Sequence, residues 1–168
     1  MNRTEDGTTA DGRYIIGSGR RRQAADPAVP DSLRRELVAE LTAARRLGRD
    51  DPGAARSRIR DAEVALAERG DPWWEPTPAG QRERLAAAMR ALLWHRRPDA
   101  TICPSDAARI VGGAAWRDLM GTAREVAGEL ADEGIIAVRQ HGKDVDLAAA
   151  VGPVRLARGT GWRDATTG

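Results

Sequence analysis

Between Thr77 and Arg158 the hydrophobic period changes from 3.6 to 2 at a single residue, Gly134. Before that glycine, Trp116, Leu119, Met120, Ala123, Val126, Ala127 and Leu130 recur at steps of three and four, which predicts a helix with one apolar stripe. After it, Ile135, Ile136 and Val138, a basic turn, and then Val145, Leu147, Val154 and Leu156 predict short strands around a wing-like loop. Two further helices are expected upstream. Thr77 and Pro78 cap one that turns Leu85, Ala88, Met89 and Leu92 inward and leaves Arg82, Glu83, Arg90 and His95 to Arg97 largely to solvent. Pro104, Ser105 and Asp106 open another, short one that stops at Gly112 and Gly113. Between them the β-prone stretch Ala100 to Cys103 is expected to pair with the wing strands. Helix, helix, helix, strand, wing and strand is the order of a winged helix-turn-helix, a unit used chiefly to bind nucleic acid or protein.

The fold class expected is therefore mainly α with a small β component. A disordered tail is expected over 1–12, a β-hairpin and an antiparallel helical hairpin over 13–69, and a Trp- and Pro-bearing linker over 70–77. The winged-helix domain follows over 78–158, with a flexible tail over 159–168. The first hairpin is read from Arg-Tyr-Ile-Ile, Gly-Ser-Gly and Arg-Arg-Arg-Gln at residues 13–23, as a Gly-rich turn with a solvated basic strand and not as a phosphate cradle. The helical hairpin carries Leu33, Leu37, Leu41 and Ala44 on its first stripe, and Ala55, Ile59, Ala62 and Leu66 on its second. The first of these helices should end near Gly48 and the second near Arg69. So thin an apolar seam must lean on the second domain or on a second copy.

The residues Ile102-Cys103-Pro104-Ser105, Trp116-Arg117 followed by Leu119-Met120, Gly134-Ile135-Ile136, Gly142-Lys143 followed by Val145-Asp146, and Gly152 to Leu156 carry a resemblance. Over about residues 78–156 the chain resembles an uncharacterised bacterial winged-helix family, a domain of unknown function. Its N-terminal half is similar to a segment that precedes this domain in small proteins of high-G+C Gram-positive bacteria. The resemblance implies the fold; it brings no established activity with it.

Charge bears on the function expected. The 27 basic residues, all but Lys143 arginine, nearly cancel 25 acids and leave a formal +2, so bulk charge does not argue for nucleic acid. The function expected is nevertheless that of a DNA-binding winged-helix protein of the transcriptional-regulator kind, in which Arg117 and Arg124 face double-stranded DNA from the third helix with Thr122 nearby. Arg109 then joins them, and Arg139, His141 and Lys143 of the wing hold phosphates. The presumed reading helix, Trp116 to Glu133, nonetheless sets Arg117 and Arg124 against Asp118, Glu125, Glu129, Asp132 and Glu133. Binding would be weak and salt-sensitive, and a homodimer is expected. The competing reading is a protein-interaction module that uses the winged helix and the linker pair Trp73 and Trp74. Those two rings are expected to plug the interface between the halves, with a stacking platform as the alternative.

An enzyme is not expected, and no catalytic residue, metal or cofactor is assigned. His95 and His141 read as surface residues, far from any nucleophile spacing. The single Cys103 excludes an internal disulfide and reads as a small buried or cap residue. The polar start has no apolar run, so a cytoplasmic protein without membrane contact is expected.

Overall fold

A computed structural model describes residues 7–162 of the chain. Three strands come first: β1 (Gly7–Thr8), β2 (Tyr14–Gly17) and β3 (Arg20–Gln23). Two helices follow, α1 (Asp31–Asp50) and α2 (Pro52–Ala65), then α3 (Pro78–His95) and α4 (Pro104–Gly112). A 3-10 segment, Gly113–Leu119, leads into α5 (Met120–Asp132), and β4 (Ile136–Gln140), β5 (Lys143–Asp144) and β6 (Arg155–Arg158) end the order. The protein is mainly helical, with two small antiparallel sheets of order β1-β2-β3 and β5-β4-β6.

Gly17 pairs with Arg20, so a two-residue loop closes the first hairpin, and both loop residues, Ser18 (φ 51°) and Gly19 (φ 73°), are left-handed. Such loops match the twist of the flanking strands. Residues 7–12 depart from the disordered tail expected there: β1 pairs with β2, and the Thr9 N–H donates to the Tyr14 carbonyl at 2.8 Å. Residues 1–6 of that tail lie outside the described residues, as do 163–168 of the C-terminal one.

In the helical hairpin α1 runs past Gly48 to Asp50, because nothing before Asp51 stops it. Asp51 then caps α2, accepting from the Ala54 N–H at 3.0 Å. Gly48 instead serves the crossing, since a Cβ there would lie 3.3 Å from that of Ala55. Helix α2 ends at Ala65, short of Arg69, with Ala67 left-handed at φ 60°. The two carbonyls that follow it are taken by the preceding chain: Asp26 N–H donates to Leu66 O at 2.9 Å, and Gln23 Nε2 donates to Ala67 O. The seam between the helices is also ionic. Glu40, only 1% exposed, accepts two bonds from Arg58, at 2.7 and 3.0 Å.

This hairpin packs on the C-terminal unit, one of the two supports expected for it. A single cluster of buried residues runs from Val29, Leu33 and Leu37 through Ala62 and Leu66 to Leu85, Met89, Leu92, Val126 and Leu156. At its junction sits Arg84, which donates to Asp26 Oδ2 (2.9 Å), Ala65 O (3.0 Å) and Ile110 O (3.1 Å). Burial pushes the Arg84 guanidinium down from its ordinary pKa, and the Asp26 carboxylate opposes that shift. Asp26 is itself 5% exposed and also accepts from the Ala28 N–H. Arg90 and Arg96, expected in solvent, are forked onto Asp61 and Glu36 across the same junction. For Arg90, burial opposes the charge, but the Asp61 bonds outweigh it and the pKa is raised.

In the C-terminal unit Ile102 exchanges backbone bonds with Leu156 at 2.9 and 2.8 Å, so the stretch before α4 pairs with β6 as expected. Cys103 immediately precedes α4, and its N–H donates to Asp106 Oδ2 at 3.0 Å. After β6 the chain stays packed through Trp162, in place of a flexible tail from 159. A Cβ on Gly159 would fall 2.3 Å from Gly134 O, and Trp162 tilts against Trp94 with centroids 5.0 Å apart.

Candidate functional site

The third helix begins later than its apolar stripe suggests. Gly113 is left-handed (φ 54°), and a Cβ there would lie 3.0 Å from that of Ala28. The chain then passes through the 3-10 segment before α5 starts at Met120, and neither start receives a side-chain cap. Arg117 therefore sits on the 3-10 segment and not on α5. Its guanidinium lies 4.5 Å from the Trp116 ring centroid, and that of Arg109, from the last turn of α4, lies 4.6 Å from the same centroid. Both arginines are exposed, and the half-buried indole holds them together. Thr122 is half-buried one turn further on.

Arg124 points elsewhere. It donates to Ala150 O and Gly152 O, each at 3.3 Å, and so fastens the long loop between β5 and β6 against α5. Leu147 of the same loop packs on Gly128, where an added Cβ would lie 3.6 Å from Leu147 Cδ2. The glycine on the outer face of α5 is thus filled by the protein's own loop. What remains is an open groove between helix and loop, lined by Gly121, Arg124, Glu125, Asp132, Val145, Asp146 and Leu147. Two acids of α5 meet a cation from α3: Arg82 donates to Glu125 at 2.8 Å and also to Glu129. These bonds raise the Arg82 pKa, the Glu125 bond foremost.

The β4–β5 hairpin, expected as the wing, is closed by His141 (φ 51°) and Gly142 (φ 76°), with Gln140 opposite Lys143. Arg139 donates to Asp144 across the strands at 3.1 Å. His141 and Lys143 are exposed, and His95 is exposed on α3. Of the cations expected to face DNA, the fold joins Arg109 with Arg117, diverts Arg124 to the loop and Arg139 to Asp144, and sets His141 and Lys143 at the tip.

The linker aromatics close on the first sheet. Trp73 Nε1 donates to Ala24 O at 3.2 Å, and its ring meets Trp74 edge-on at 5.1 Å. Trp74 in turn meets Tyr14 of β2 at 5.3 Å. Both indoles are half-buried in this stack. Among the described residues no three His, Cys, Asp or Glu side chains gather as a metal site, and no helix is long and apolar enough to cross a membrane.

Residues 82–159 therefore form a helical unit closed by a small antiparallel sheet, with an acidic groove on its third helix. A family model described as a protein of unknown function (DUF3253) matches these same residues, 82–159, in agreement with the resemblance to an uncharacterised family. No curated protein matches the chain.

Proposed function

We propose that residues 78–158 are a winged helix whose α5 and wing loop bind a protein partner and do not read duplex DNA. The element order and the pairing of Ile102 with β6, beside β4, support the winged helix. One observation carries the choice of partner: Arg124, the cation at the middle of the α5 face, is held back by Ala150 and Gly152, and Glu125, Asp132 and Asp146 line the groove with it, three carboxylates to one guanidinium. Facing carboxylates repel phosphate, whereas a groove with an apolar floor and an acidic rim suits a basic segment of a protein.

The test is affinity purification of the full chain from its cells with nuclease present, against Gly121→Trp. A Cβ on Gly121 meets nothing within 4 Å, so the indole fills the groove without disturbing the fold. Recovery of one protein in equal amount, lost with Gly121→Trp, is the expected result; recovery indifferent to the substitution contradicts the proposal. A duplex contact at the other corner is a second reading, favoured by Arg109 and Arg117 side by side on Trp116. If it holds, Arg109→Ala with Arg117→Ala abolishes duplex binding at low salt.

A further inference from the structure

The first hairpin carries cations that no carboxylate among the described residues neutralises. Among the described residues no carboxylate forms an ion pair with Arg13, Arg20, Arg21 or Arg22, although arginines elsewhere are widely paired. The nearest acids are engaged otherwise. Asp11 accepts from the Thr9 hydroxyl and the Arg13 N–H, and Glu68, half-buried, feels Arg45 more strongly than Arg22.

Register sorts the side chains. Ile15 pairs with Arg22 and Gly17 with Arg20, so Ile15, Arg20 and Arg22 share the outer face. Tyr14, Ile16, Arg21 and Gln23 share the other, which is seated on Trp74 through Tyr14 and on Ala67 through Gln23. Arg21 lies 4.3 Å from the Tyr14 ring centroid and Arg13 lies 5.3 Å from that of Trp74. Stacking orients a guanidinium while leaving its N–H fork open to oxygen acceptors.

We infer that the β2–β3 hairpin binds the phosphodiester backbone of duplex DNA, with Arg20 and Arg22 contacting phosphates from its outer face and Arg21 from its edge. The arginines lie on β3, the edge strand of the sheet, where a backbone can approach them, and arginine forks match phosphate oxygens. Ile15 is the only apolar side chain in the outward row, too little to enter a bilayer. The site is separate from the α5 groove, and the inference does not rest on that groove's partner.

Fluorescence anisotropy of a labelled mixed-sequence duplex, titrated with salt against the full chain, tests it. Three phosphate contacts predict a slope of log K on log salt of about −2.7, or about 40-fold weaker binding at about 200 mM than at about 50 mM salt. Arg20→Ala, Arg21→Ala and Arg22→Ala together should bind at least about tenfold more weakly at low salt and flatten the slope by about 2 to 3. The three lysine substitutions keep the charge and should retain low-salt binding, and the single alanines should each flatten the slope by about 1. The single variants keep the test sharp should the triple variant fold poorly. No wild-type binding at low salt, a wild-type slope in the alanine variants, or equal binding to polyglutamate or to anionic vesicles overturns the inference.

Discussion

Two hairpins in this chain are closed by the same kind of loop, and they differ in what their cations are left to do. Ser18 and Gly19 close one; His141 and Gly142 close the other, and all four residues are left-handed. In the wing, Arg139 is answered across the strands by Asp144, and the loop beyond is fastened to α5 by Arg124. In the N-terminal sheet, Arg20 to Arg22 meet aromatic faces or solvent and no carboxylate pairs with them among the described residues. Similar loops thus close one hairpin whose arginine is ion-paired within it and one whose arginines are not. Net charge hides this, because the formal +2 sums over both. What decides the partner of a surface is the fraction of its cations that the fold itself consumes.

The largest effect is expected where the two regions are joined. Arg84→Met strands the Asp26 carboxylate in the junction and should cost about 3 to 5 kcal/mol in denaturant unfolding. Adding Asp26→Asn should restore most of that loss, since the stranded charge is then removed; if it restores none, the pair is not what ties the sheet to the helices. Next is Arg124→Ala, which removes two bonds to the wing loop and should cost about 1 kcal/mol. Amide exchange in residues 147–152 should rise while duplex affinity stays unchanged, and a drop in duplex affinity would blur the contrast between the hairpins. Smaller again, Gly121→Ala should stabilise the protein by about 0.5 to 1 kcal/mol, because the added Cβ meets no neighbour on α5. A thermal melt reads it.

The smallest effect concerns Glu68, the acid nearest the basic strand. Burial raises its pKa above the usual 4.5. The folded state then holds this proton more tightly than the unfolded one, so stability falls as pH rises from 4.5 through the raised value. Glu68→Gln should melt slightly higher than wild type at neutral pH, by about 2 °C at most, and the gap should close below that window. Unchanged melting at neutral pH would mean that the carboxylate is solvated after all.

Local chemistry made much of this fold legible in the sequence. Glycine was not needed at every boundary: Thr77 with Pro78, Asp51 with Pro52, and Asp106 behind Pro104 marked helix starts through their own side chains. Ile102 announced its pairing through β-propensity next to a proline. What stayed hidden was long-range. Sorting residues by polarity put Arg90 and Arg96 outside, because their partners Asp61 and Glu36 lie far along the chain, 60 residues away for Arg96. The apolar period also overran the start of α5, since a 3-10 entry keeps a similar spacing while lacking a cap. In the candidate site, Arg109, Arg117 and the exposed wing tip were legible. The diversion of Arg124 was not, because it depends on how the loop after Asp146 folds back. One clue was present: Gly128 on the outer face, with an otherwise unexplained Leu147 in the loop, is the pair that meets.

The central claim is that the charge proposed to face duplex DNA resides in the N-terminal sheet and not in the C-terminal unit. Its most direct test is the salt dependence of duplex binding by two matched triple variants, Arg20→Ala with Arg21→Ala and Arg22→Ala, and Arg109→Ala with Arg117→Ala and Lys143→Ala. The prediction is a slope flattened by about 2 to 3 in the first and unchanged in the second. A slope flattened in the second and unchanged in the first would contradict it.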